Sequence, residues 1–102
     1  MLLEHGADPD KAKNDGFTPL LNASQFGSVE VAKVLLEKGA DVNKVNDNNQ
    51  TPINKAADSG HVAVVRLLLW KGGNTTVKDK WGDTPLASAQ SKGHSEVAAL
   101  LE

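Results

Sequence analysis

The sequence predicts an all-α solenoid, in which paired helices are joined by turns and stacked in layers. Three observations carry this. Thr18-Pro19, Thr51-Pro52 and Thr84-Pro85 recur at a fixed step of 33 residues. Gly27, Gly60 and Gly93 keep the same step, and so do Gly6, Gly39 and Gly72. Between the glycines, apolar residues fall at helical spacing: Val31, Val34 and Leu35, then Val64, Leu67 and Leu68, then Val97, Leu100 and Leu101. A period of this length marks stacked units, each of which hides an apolar face against the next.

Alignment on the threonine-proline pairs gives four rows in one domain, 1–102: a partial row 1–13, full rows 14–46 and 47–79, and a C-terminal partial row 80–102. In the first full row, Thr18 caps a helix and Pro19 takes its first position, where a missing N–H costs nothing. Leu20, Ala23 and Ser24 form the packed side. Gly27 ends the helix, because glycine enters the left-handed region freely. Ser28 is expected to cap a second helix, whose buried stripe is Val31, Val34 and Leu35. Gly39 ends that helix. The polar segment Gly39-Ala40-Asp41-Val42-Asn43 then makes an extended turn into the next row. The third row repeats the plan with Ile53, Ala56 and Ala57, and the fourth with Leu86 and Ala89. Gly16 and Gly82 share a slot with Asn49, the next most tolerant residue for positive φ, so that slot is expected to be left-handed in every row.

One row cannot hide its own helix faces. Burial gains roughly 25 cal/mol per Å2 of apolar surface, and most of that must come from the neighbouring row. The chain opens at Leu2-Leu3 within what reads as the end of a helix, and it finishes at Glu102 where other rows have Leu36 and Leu69. This reads as a piece of a longer array whose raw end faces self-associate. The end rows are expected to exchange their amide hydrogens first; uniform protection along the chain would contradict that.

Composition narrows the function classes. The net charge is −2 and the 11 basic residues are scattered, unlike a nucleic-acid module with its basic face. No apolar run reaches the length of a membrane helix. The start lacks the basic and apolar pattern of a secretory signal, so an intracellular location, cytoplasmic or nuclear, is expected. Without cysteine there is no disulfide, thiolate nucleophile or Cys-based zinc site.

Gly16-Phe17-Thr18-Pro19-Leu20, Gly60-His61, Val64-Val65-Arg66-Leu67-Leu68-Leu69 and Gly39-Ala40-Asp41-Val42-Asn43 together resemble the ankyrin repeat family, over all 102 residues. The resemblance implies L-shaped units of antiparallel helices with a hairpin-like finger, and a concave face of fingers and first helices that binds other proteins. The chain departs from the family pattern at Leu21, Asn54 and Ala87, where histidine is usual. It departs again at Gly73-Asn74 and Thr75-Thr76. The resemblance also implies that Asn43 stands at a position where asparagine can be hydroxylated by an intracellular oxygenase.

Phe17, Phe26 and Trp81 occupy slots that are polar in the other full rows, which places them at the surface. The resemblance puts those slots on the partner-binding side, and aromatic side chains dominate interface energies. The surrounding slots are Asp15, Gln25, Asn48, Gln50, Asp58, Ser59, Asp83, Ser91 and Lys92. They form a neutral-to-acidic rim suited to a partner with an apolar anchor beside basic or amide groups. Trp70 shares its slot with Glu4 and Glu37 on the back of the unit, where local packing or a contact to sequence beyond the chain is expected.

Histidine and carboxylate chemistry is not indicated. His61 and His94 recur after the helix-ending glycine, where Ser28 also stands. A residue there caps the next helix or hydrogen-bonds a neighbouring loop, and a zinc site needs three or four ligands. His5 reads as a surface residue. Asp8, Asp41 and Asn74 share a slot suited to bonding local backbone N–H groups. Asp79 and Asp83, or Asp8 and Asp10, form no acid–base constellation, and no phosphate loop occurs. The expectation is a noncatalytic protein-binding module without metal or cofactor. Two alternatives remain: the regulatory or targeting arm of a larger enzyme or channel, and a purely structural segment of a longer array.

Overall fold

A computed structural model of the chain describes residue 11 and residues 16–102. The partial first row, including His5, Asp8 and Asp10, lies outside the described residues, as does Asp15. Among the described residues are six helices and no strand: α1 (Pro19–Phe26), α2 (Val29–Glu37), α3 (Pro52–Ser59), α4 (Val62–Trp70), α5 (Pro85–Ser91) and α6 (Ser95–Leu101). Helices this short are marginal in isolation, and their stability comes from packing. First helices pack in the order α1–α3–α5, second helices in the order α2–α4–α6, and each first helix packs on its own second helix. The all-helical layered solenoid expected from the repeat is what forms.

The threonine-proline signal works as a start. Thr18 Oγ1 accepts the Leu21 N–H at 3.1 Å, and Thr84 Oγ1 does the same for Ala87. The α3 start is doubly tied. Thr51 Oγ1 accepts the Asn54 N–H, and Asn54 Oδ1 accepts both the Thr51 N–H and its hydroxyl at 2.8 Å. Asn54, where the family pattern has histidine, therefore completes a capping box. Its Nδ2 also donates to the Val77 carbonyl of the next finger at 3.4 Å.

The core is one continuous cluster running through the layers. It includes Leu20, Ala23, Leu35, Ile53, Ala56, Ala57, Val64, Leu68, Ala89 and Val97. The second-helix stripe is met in part: Leu35, Val64, Leu68 and Val97 are buried as expected. Ala32, Val65 and Ala98 are buried, whereas Val34, Leu67 and Leu100 in the expected stripe are only half-buried.

The left-handed slot is as expected: Gly16, Asn49 and Gly82 have φ of 78°, 59° and 86°. The fingers they turn are joined to one another. Lys80 N–H donates to the Asn48 carbonyl at 2.9 Å, and Asn49 Nδ2 to the Lys78 carbonyl at 2.7 Å. Within each finger a short acceptor holds the turn. Asn46 Oδ1 accepts from Asn48 and Gln50 N–H, and Asp79 Oδ1 from Trp81 and Asp83 N–H. Asp41 Oδ1 accepts the Asn43 N–H, as Asn74 Oδ1 accepts that of Thr76. The recurring acids and amides are turn parts.

The second-helix caps differ from expectation. Ser28, His61 and His94 occupy the cap position, but none makes a side-chain cap bond. The two histidines reach back one layer. His61 Nε2 lies 3.0 Å from the Gln25 carbonyl, and His94 Nε2 lies 3.1 Å from the Asp58 carbonyl. A carbonyl only accepts, so Nε2 carries the hydrogen in both. Each ring lies against the glycine that ends the preceding first helix. A Cβ on Gly27 would sit 2.6 Å from His61 Nδ1, and one on Gly60 the same distance from His94 Nδ1. Ser28 stands in the first described layer, so the layer behind it lies outside the described residues.

Candidate functional site

The layering hides the aliphatic faces and leaves aromatics outside. Phe26 is 66% exposed and Trp81 61%, although aromatic rings are the largest apolar groups the chain has. Phe26 is the last residue of α1, just before the Gly27 turn, so its ring lies past the packed stripe of that helix. Trp81 sits on a finger turn fixed by Asp79 Oδ1. Phe17, half-buried, precedes the Thr18 cap.

These rings line one cleft of about 450 Å3, together with Gln25, Asn48 and Gln50. It draws on three successive repeats, so no single unit contains it. Two further residues line it that the slot comparison did not single out: Asn22 of α1 and Lys55 of α3. Lys55 and Asn22 share a slot with Ser88, and nothing in that trio flags a site in sequence. Their position relative to the neighbouring finger is what brings them in.

The charges at this face are arranged differently from the expected acidic rim. Asp58 is bound to Lys92 Nζ at 2.9 Å, an ion pair that links α3 to the end of α5. Both side chains are well exposed, so the pair contributes little stability. The cleft lining itself carries Lys55, whose Nζ lies 5.5 Å from the Phe17 ring centre. Lys80 Nζ lies 5.1 Å from the Trp81 ring. Ammonium groups over aromatic faces are drawn by the ring quadrupole.

Ser59, Asp83, Ser91 and the Asp58–Lys92 pair lie on the same fingers and first-helix ends but outside the cleft lining. Trp70 ends α4 and is 83% exposed, so the local packing expected of it is not made. Asn43 is exposed, and its Oδ1 accepts the Asn74 N–H of the next turn at 2.7 Å.

Among the described residues, no group of three or more His, Cys, Asp or Glu gathers as a metal site would require. No helix among them is long and apolar enough to cross a membrane.

Comparison with known proteins agrees with the architecture. Residues 1–46 match the family profile described as ankyrin repeats in three copies, and residues 26–69 match one described as ankyrin repeats in many copies. No curated protein matches the chain. The two profile matches overlap and run together from residue 1 to 69, and the helix pairs, left-handed turns and fingers continue the same plan to the end of α6. Ankyrin repeats are in general noncatalytic modules of protein–protein interaction, and this chain belongs to the ankyrin repeat family.

Proposed function

We propose that the chain recognises a partner polypeptide through its finger and first-helix side, with the Phe17–Phe26–Trp81 cleft as the centre of contact. The observation that carries this is the exposure of Phe26 and Trp81 in a cleft assembled across repeats, while the aliphatic stripes beside them are buried. An exposed aromatic cluster with a polar border is the usual composition of an interface centre. The mechanism is rigid presentation. Fingers bonded to one another and first helices held at their starts by threonine caps lose little ordering entropy on docking, so contact energy is retained as affinity.

The test is affinity capture with the intact chain and with Phe26→Glu and Trp81→Glu variants. A partner retained by the intact chain should be lost from both, because removing a central aromatic anchor costs on the order of 2 kcal/mol, about thirtyfold in Kd. Retention unchanged by both substitutions would move recognition elsewhere. The working compartment in this reading is intracellular.

Asn43 is part of the proposal as a modification position. Its side chain is exposed on a turn and its amide oxygen is already engaged, so a hydroxyl on Cβ leaves the Asn74 bond in place. The expected result is a gain of one oxygen on the Asn43 peptide from native cells; an unmodified peptide in every cell source would remove the assignment.

A further inference from the structure

The cleft's lining chemistry points to one class of occupant, and the inference rests on the binding reading above. Its walls are aromatic. Its polar groups are primary amides, of which Asn22, Gln25 and Asn48 make no side-chain bond to other described residues, whereas Gln50 Oε1 is taken by Asn46 Nδ2 at 2.9 Å. A primary amide offers a donor and an acceptor side by side, which matches the N–H and C=O of an extended backbone. Among the described lining residues, the charged one is Lys55.

Lys55 of the lining and Lys80, which stands outside it beside Trp81, hold their ammonium groups over the Phe17 and Trp81 rings, with no carboxylate ion-paired to either among the described residues. An exposed cation–π contact is worth about 0.5–1 kcal/mol, so a carboxylate can redirect either group at small cost. Among the described residues, the nearby acids do not supply that carboxylate. Asp58 is held by Lys92, and Asp79 by two backbone N–H groups of its own turn. Asp47 and Asp83 are exposed on the fingers, outside the lining.

We propose that the cleft takes an extended peptide carrying an apolar side chain next to an aspartate or glutamate. The apolar side chain enters among the aromatic walls, the peptide's amides meet Asn22, Gln25 and Asn48, and the carboxylate takes the ammonium groups of Lys55 and Lys80. A volume near 450 Å3 is within the roughly 300–1,000 Å3 of ligand clefts and admits a few residues.

The experiment pans a random-peptide phage library on the intact chain, then measures a labelled synthetic copy of an enriched peptide by fluorescence polarisation. Enriched peptides should share an apolar residue beside an acid. Binding should weaken with added salt and fall about tenfold in a Lys55→Glu, Lys80→Glu double variant, since exposed pairs are each worth up to about 1 kcal/mol and reversal adds repulsion. The arginine double variant should bind as before, and amidating the peptide's C-terminus should change nothing if a side-chain carboxylate is read. Melting by circular dichroism separates lost affinity from lost fold. Enriched peptides that are basic or uncharged, or binding indifferent to the reversal yet lost in Trp81→Ala, would overturn the acidic preference and leave the binding reading standing. No enrichment, or enrichment untouched by Trp81→Ala and Phe26→Ala alike, would overturn both.

Discussion

Replacing Gly60 by alanine should remove roughly 3 kcal/mol of stability, far more than the same change at Gly72. Both glycines are left-handed, with φ of 78° and 86°, so both substitutions incur the steric cost of an L side chain there, about 1–2 kcal/mol. The difference lies in what the new methyl meets. At Gly72 nothing lies within 4 Å, whereas at Gly60 three ring atoms of His94 lie between 2.6 and 2.9 Å. The imidazole must swing away, and its bond to the Asp58 carbonyl goes with it, a further loss of about 1 kcal/mol. Urea unfolding of Gly60→Ala, Gly72→Ala, His94→Ala and the Gly60→Ala, His94→Ala pair isolates the contact. In the His94→Ala background, Gly60→Ala should cost no more than Gly72→Ala. Equal losses at Gly60 and Gly72 in the wild-type background would show that the histidine does not clamp the layers.

That clamp marks where sequence reading ends. Recurrence identified Gly27 and Gly60 as helix terminators and Asn49 as a left-handed residue, because these depend on a residue's own backbone. The recurrence of His61 and His94 left two roles open, a cap or a reach to a neighbouring loop, since one-dimensional register does not say which layer a side chain faces. The structure selects the reach, from each histidine to the carbonyl two residues before the preceding glycine. The same limit explains the cleft. Comparing slots flags an aromatic where other rows are polar, and that found Phe17, Phe26 and Trp81. It cannot flag Lys55 and Asn22, which are ordinary for their slot and gain their place from the finger of the next repeat. Nor can it tell a free carboxylate from one already held, as Asp58 is by Lys92.

The Gly73 irregularity has the same origin and yields the second large effect. The family pattern has alanine there, as at Ala40, yet Gly73→Ala is expected to destabilise by about 2 kcal/mol. No left-handed strain is involved. A Cβ at Gly73 would run into the Ile53 Cδ1 methyl and lie 2.9 Å from the Leu68 carbonyl. Ile53 is 1% exposed and cannot retreat into solvent, so the added methyl overpacks the junction between α3 and the end of α4. The glycine and the isoleucine are thus one packing unit: the space left by the missing methyl at 73 is filled from 53. Ile53→Val removes the colliding methyl and alone should cost about 1 kcal/mol. Combined with Gly73→Ala it should cost clearly less than the two losses added, with a coupling on the order of 1 kcal/mol. Strict additivity in thermal or urea unfolding would mean that the two sites relax independently, and the glycine would then owe its place to the Leu68 carbonyl alone.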